Sequence, residues 1–151
     1  MQRLKRQVYR AEQGQSLVEF ALSLIILLTI LMGIFDLGRM FFSQIALQDA
    51  VGEGAQYASI NPQCYNSSAC ADPNNITFRT RNASPSGFTN LGNIAVTVDY
   101  GPYTPSTLVI GVPITVSAAY TYPLATFVIG SIVGRNYLLL TAQSQGTVQS
   151  P

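Results

Sequence analysis

The sequence predicts an α+β protein in which one long N-terminal helix packs on a small C-terminal antiparallel β-sheet. Three observations predict this fold class. A nearly unbroken apolar run occupies residues 17–35, and apolar residues at helical spacing continue beyond it. From Ile94 onward the apolar period becomes two, which is typical of strands. Because neither a lone sheet nor a lone amphipathic helix buries its apolar face, the two elements are expected to pack together.

The apolar run predicts a transmembrane helix at about residues 17–35. At 1.5 Å per residue this segment covers about 28 Å, close to the hydrocarbon thickness of a bilayer. A buried core helix is one alternative, but such helices are usually shorter. A removable secretory signal is another, but its apolar core is also shorter, and no convincing small-residue cleavage site follows Phe35. The few interruptions of the run are Glu19, Ser23, Thr29 and Gly33.

The charges that flank the run predict its orientation. Basic residues cluster before the span, whereas only Arg39 follows it closely, beside Asp36. Positive charge is retained on the cytoplasmic side of a membrane, so the N-terminus is expected in the cytoplasm and the C-terminal part outside it. The basic residues before the span are Arg3, Lys5, Arg6 and Arg10.

Glu19 is a carboxylate just inside the apolar helix, where an unpaired charge is costly. The preceding residues offer no obvious charged partner at helical spacing, since Gln15 stands four positions earlier. If the peptide bond after Gly14 is cut, Gln15 gains a free α-amine that is positive at neutral pH. That amine can meet Glu19 of its own helix, or Glu19 of a neighbouring helix staggered by about one turn. The second arrangement builds a filament.

The run from Gly14 through Gln15 to Glu19 resembles the prepilin cleavage motif of type IV pilins and pseudopilins, in which a glutamate is the fifth residue after the cut. A closer similarity is to TadE-like proteins of tight-adherence (Flp-type) pilus systems, and it covers roughly residues 14–60. The resemblance implies cleavage between Gly14 and Gln15, with residues 1–14 as a basic cytoplasmic leader and Glu19 as the charge-pairing residue of assembly. The residues that carry it are Gly14, Val18, Glu19, Phe20, Ala21 and Leu22, followed by Gly33, Ile34, Gly38 and Arg39.

This family resemblance implies a pilin-like fold and a structural role as a minor pilin or pseudopilin in assembling or initiating a type IV (Tad/Flp) pilus. The implied location is a bacterial or archaeal plasma (inner) membrane, crossed once, with the C-terminal domain outside the cytoplasm. The implied partners are membrane lipid, other pilin or pseudopilin subunits, a prepilin peptidase and the inner-membrane pilus assembly platform. An uncleaved single-pass membrane protein with an extracytoplasmic β domain for binding or adhesion is the alternative.

Composition argues against other functions. Charged residues are 10% of the chain and the net charge is +1, so nucleic acid is not an expected partner. The chain has no histidine, which removes the commonest general base and metal ligand. We therefore expect no enzyme, no cofactor and no metal site.

One helix is expected over residues 15–60, continuing past the span and ending near Asn61 and Pro62, because Pro62 disfavours helix at the residue before it. Asp36 and Arg39 are expected to form an exposed pair at the membrane edge, with a contact to a partner subunit as the alternative. The extramembrane part of this helix carries an expected apolar stripe of Leu37, Met40, Phe41, Ile45, Leu47 and Val51.

A polar loop is expected over residues 61–93. It holds the only two cysteines, Cys64 and Cys70. Outside the cytoplasm a disulfide between them is favoured over zinc, because two thiolates without histidine make a poor zinc site.

The antiparallel β domain is expected over residues 94–149, with three or four strands. Alternation predicts strands at 94–100, 108–123 and 137–149, with Pro113 tolerated at a sheet edge or a bulge. The apolar segment 125–134 is too short to span a membrane as a helix. It is interpreted as a cover of the domain core, with a short helix and a membrane-proximal or partner-facing segment as alternatives.

Overall fold

The computed structural model describes residues 2–83, 91–125, 130–131 and 134–150, with side chains from residue 14 onward. The predicted α+β fold class is confirmed, since a long helix leads into a small antiparallel sheet. The elements in chain order are helix α1 (Gln2–Ile60), helix α2 (Ile76–Asn82), a short 3-10 helix (Leu91–Asn93), and strands β1 (Ala95–Asp99), β2 (Pro113–Pro123) and β3 (Tyr137–Thr147).

Helix α1 is continuous from the basic N-terminal segment to Ile60. Its last turn is closed by the Asn61 amide, which donates to the Tyr57 carbonyl at 2.9 Å, and the chain leaves the helix at Pro62. The expected apolar stripe is partly wrong, because Leu37, Phe41 and Ile45 are exposed. The buried side of α1 is built mainly from smaller residues, which let the sheet approach the helix closely: Ser43, Leu47, Ala50, Val51, Gly54, Ala55 and Ala58.

The described residues form a three-stranded sheet in the order β1-β2-β3, antiparallel throughout. The expectation that the second strand begins at residue 108 is wrong. Gly111 has φ +92°, a left-handed conformation that glycine adopts without a Cβ penalty, and β2 begins after it. Pro113 is not at an edge or a bulge but at the first position of the central strand, where a missing N–H costs least.

The core lies between α1 and one face of the sheet. Ile114 and Val116 of β2 are fully buried, as are Leu47 and Val51 of α1. Gly146 of β3 allows the closest approach of sheet and helix, since an added Cβ would lie 2.6 Å from the Ala55 carbonyl oxygen. A side chain at that point would push the strand away from the helix.

The described parts of the segment 61–93, residues 61–83 and 91–93, contain more helix than the polar loop that composition predicts. They contain α2, whose N-cap is Asn75: its Oδ1 accepts from the Phe78 amide at 2.8 Å. Helix α2 packs on α1 at Gly54, where an added Cβ would contact Thr80 Oγ1. Most of the apolar segment 125–134 lies outside the described residues.

Candidate functional site

The segment from Gly14 to Glu19 lies within continuous helix, and its side chains are exposed. Gln15 Nε2 donates to Glu19 Oε1 at 3.3 Å across one helical turn. The side chain of Gln15 is thus a neutral partner for Glu19, which sequence reasoning overlooked by seeking only a charged one. The signal was present in the four-residue spacing of an amide donor and a carboxylate. In the uncleaved chain, therefore, Glu19 accepts a hydrogen bond from a neutral amide.

The apolar segment that follows Glu19 is not covered by the rest of the chain. From Gly14 through Phe35 the side chains are exposed, except for partial burial at Gly33. Among the described residues, one helix, Gly14–Ile60, is long and apolar enough to cross a membrane, with a mean hydropathy of 2.6 in its most apolar window and none of that window buried. A core helix of a soluble domain would be mostly covered by its own protein. One long exposed apolar helix fits a single-pass membrane protein.

Asp36 marks the point at which α1 first meets the folded domain. Its side chain is only 3% exposed, and Oδ1 accepts a hydrogen bond from the Ala125 amide at 3.3 Å. The expectation of an exposed Asp36 is therefore wrong. By accepting this backbone N–H, the buried carboxylate holds the chain after β2 against the helix. This contact fixes one end of the sheet beside the end of the apolar run.

Two glutamines attach the helix to the edge of β3 further along. Gln44 Nε2 donates to the Thr141 carbonyl at 3.0 Å, and Gln48 Nε2 donates to the Gln143 carbonyl at 3.3 Å. An edge strand offers unpaired backbone groups that invite pairing with another chain. The two amides occupy part of this edge of β3, so the helix and sheet form one unit.

Cys64 and Cys70 lie at the far end of the domain and are joined by a disulfide bond. The Ile76 amide donates to the Cys64 carbonyl at 2.8 Å, and Asn75 Nδ2 donates to the Cys70 carbonyl at 3.1 Å. Asn75, which sequence reasoning did not single out, thus both caps α2 and holds the disulfide loop on it. Its signal was an asparagine directly before a short helical segment.

A shallow groove of about 550 Å³ lies across the sheet face that points away from the core. Its lining has no acid, base or thiol, so this groove offers no group for general acid-base or nucleophilic chemistry. Among the described residues, no group of three or more His, Cys, Asp or Glu side chains is placed to hold a metal ion. The groove is lined by Gln48, Ala95, Thr97, Ser117, Ala118, Ala119, Thr141, Ala142 and Gln143.

The fold and the exposed helix define a class of protein: a small α+β domain carried on one apolar helix that fits a single membrane crossing. Within this class, residues 14–56 match the family model described as TadE-like protein. The resemblance expected from the sequence is confirmed for that region. The matched region begins at Gly14 and covers most of α1, both its exposed apolar part and the part that packs on the sheet, but none of the sheet itself. Curated proteins and solved structures give no significant match to the chain.

Proposed function

We propose that this protein is a TadE-like minor pilin or pseudopilin, a structural subunit in the assembly or initiation of a Tad-type pilus. The single observation that carries the proposal is the TadE-like match beginning at Gly14 on a helix whose apolar surface is exposed. Such a helix suits two environments in turn, first lipid and then neighbouring helices. The proposed partners are other pilin-like subunits, a prepilin peptidase and the inner-membrane assembly platform.

In this proposal the charge of Glu19 changes its partner on maturation. Before cleavage it accepts from the neutral amide of Gln15 at 3.3 Å. Cleavage after Gly14 places a positive α-amine on Gln15 in the cytoplasmic half of the helix. A charge-assisted bond is about twice as strong as a neutral one, so the new amine competes for Glu19 within one helix or between two helices. The precursor is a membrane anchor, and the cleaved chain is a building block.

Substitution of Gly14 tests the proposal without disturbing the fold. A Cβ at Gly14 meets no atom within 4 Å, and leucine favours a helix more than glycine does. We expect Gly14→Leu to fold normally but to retain residues 1–14 and to abolish pili in the native host. Intact mass and N-terminal sequencing should find Gln15 first in the unsubstituted protein and the uncut N-terminus in Gly14→Leu.

Two control variants separate processing from assembly. Gly38→Ala also adds a Cβ in open space on α1, and it should leave cleavage unchanged. Glu19→Gln keeps the size of the side chain but removes its charge, so it should be cleaved yet fail to enter pili. Normal cleavage and normal pili in Gly14→Leu would contradict the proposal.

The second candidate is an uncleaved membrane protein whose outer domain binds a partner. Exposed apolar side chains at the end of the domain far from the span favour it, notably Val109 and Ile110. This candidate predicts that Gly14→Leu changes nothing, whereas replacing Val109 and Ile110 with serine weakens binding to surfaces. Gly14→Leu together with the serine variants of Val109 and Ile110 therefore distinguishes the two functions.

A further inference from the structure

The domain is not raised above the membrane by a linker. Helix α1 continues without a break past Phe35, the last residue of the apolar run. The next residue, Asp36, already accepts from the amide of Ala125, two residues after the end of β2. The sheet therefore starts at the level at which the apolar run ends.

The hydrogen bonds between α1 and β3 fix which residues of the sheet lie at that level. Gln44 is bonded to Thr141, and Gln48 to Gln143, so β3 runs in the same direction as α1. Four strand residues cover about 13 Å, and eight helix residues cover about 12 Å. Tyr137 is consequently level with Asp36.

The β2–β3 hairpin is the part of the described sheet that reaches this level. Strand β1 pairs with β2 only as far as Ala119, whereas β2 and β3 continue to the pair Pro123↔Tyr137. Here the outward-facing side chains of β3 are apolar or amphipathic, with Tyr137 51% and Leu139 63% exposed. Further along the same face they are polar, as at Gln143 and Gln145.

Helix α1 changes from apolar to polar near the same level on its exposed side. Leu37 is 58% and Phe41 64% exposed, and Ile45 is the last exposed large apolar residue before Gln48 and Asp49. The two changes coincide to within about one helical turn, roughly 5 Å. Leu37 and Phe41 lie on the same stripe of α1 as Gln44 and Gln48, so they flank the edge of β3. On the side of α1 away from the sheet, Phe42 is 67% and Ile45 42% exposed. Exposed side chains thus change from apolar to polar at a similar level on more than one side of the molecule. A membrane surface would produce this pattern, whereas a single docked helix would cover only one side.

We propose that these four residues, Leu37, Phe41, Tyr137 and Leu139, form a membrane-proximal rim that contacts the headgroup layer of the bilayer. Leu37 lies about 3 Å beyond Phe35, inside a headgroup layer that is about 5–8 Å thick. Phe41 lies about 9 Å beyond Phe35, at the outer edge of that layer, and its side chain tilts back toward the helix N-terminus. Tyrosine is enriched at this depth because its ring is apolar and its hydroxyl is polar. Exposed Arg135, two residues before Tyr137, adds a cation for lipid phosphate.

The absence of tryptophan from the chain makes the test direct. Single tryptophans are introduced by Tyr137→Trp, Leu139→Trp and Phe41→Trp in the full chain, with one chain per nanodisc of phosphatidylcholine. Tyr103→Trp is the matched control, because Tyr103 is exposed at the opposite end of the domain, where its amide donates to the Tyr100 carbonyl. Each variant is compared in ordinary lipid and in lipid brominated on the acyl chain next to the headgroup.

The proposal predicts that brominated lipid quenches the three rim tryptophans and leaves the emission of Tyr103→Trp unchanged. Equal quenching at the rim and at residue 103 would overturn it. Blue-shifted but unquenched rim emission would also overturn it, because a protein surface would then cover the rim. The proposal rests on the membrane-spanning interpretation of α1 and not on cleavage, so its outcome is independent of the Gly14→Leu experiment.

Discussion

The contact between Gly54 and Thr80 gives a prediction in which two neighbouring glycines respond oppositely to the same substitution. At Gly52 an added Cβ meets nothing within 4 Å, so Gly52→Ala should stabilise the protein by the helix-propensity difference, about 1 kcal/mol. At Gly54 the same Cβ would overlap Thr80 Oγ1 and lie 3.2 Å from Val116 Cγ1. Thr80 is fully buried, and its hydroxyl donates to the Ile76 carbonyl at 2.8 Å, so it has little freedom to move.

Overpacking of this kind costs about 1–3 kcal/mol. After the propensity gain, Gly54→Ala should destabilise the protein by up to about 2 kcal/mol. Thr80→Ala removes the overlapping oxygen and leaves Thr80 Cβ at an ordinary contact distance of 3.4 Å. In that background Gly54→Ala should become stabilising, so the double-mutant cycle should give a coupling energy of about 1–3 kcal/mol.

The assay is thermal unfolding of the full chain in detergent micelles, followed by the near-ultraviolet circular dichroism of the tyrosines. A change of 1 kcal/mol corresponds to a shift of about 2–4 °C in Tm for a chain of this size. A rise in Tm for Gly54→Ala like that for Gly52→Ala would contradict the predicted overlap with Thr80. Simple additivity of the effects of Gly54→Ala and Thr80→Ala would contradict it as well.

Three further predictions concern polar groups of the domain. Burial, with a smaller effect of nearby Tyr65, raises the pKa of Tyr100 from 10.0 to about 12. The protonated Tyr100 is thus favoured in the folded state, so its contribution to stability should be complete below pH 10 and lost between about pH 10 and 12. Tyr100→Phe, which also removes the 2.7 Å bond to the Pro62 carbonyl, should lack this phase in a pH series of Tm. Tyr122 is 3% exposed, and its hydroxyl has no hydrogen-bond partner among the described residues. Tyr122→Phe should therefore raise the free energy of unfolding by about 1 kcal/mol in the same thermal assay. A lower Tm would show that the hydroxyl has a hydrogen-bond partner. Asp36→Ala should lower the free energy of unfolding by about 1–3 kcal/mol, because it leaves the Ala125 amide without its carboxylate acceptor. Asp36→Asn keeps an acceptor oxygen and should lower it less. Equal Tm values for the two variants would argue against the bond to Ala125.

The sequence was sufficient wherever the deciding property is local. A continuous apolar run gives a long helix that fits a membrane crossing, because its length and transfer free energy depend on no other part of the chain. Alternation after Ile94 indicated strands, and two of them lie close to the expected ranges. Pro62 marked the helix end because its ring acts on the residue directly before it.

The sequence predicted less well which side chains of α1 are buried, because apolarity alone does not say whether protein or lipid covers a residue. Phe41 and Leu37 were expected in the core but are exposed, while Asp36 was expected in solvent but is buried. Small residues such as Ala55 face the sheet because they allow close approach, which a hydrophobicity pattern does not register.

For this protein, the sequence by itself determined the exposed apolar helix, the region of TadE-like similarity and the change from helix to strands. Only the tertiary structure decided which face of α1 carries the sheet and how deep the sheet lies beside the span. Those features depend on contacts between residues far apart in the chain, such as Gln44 with Thr141 and Asp36 with Ala125. Their geometry arises from the packing of two finished elements, and no local run of residues encodes it.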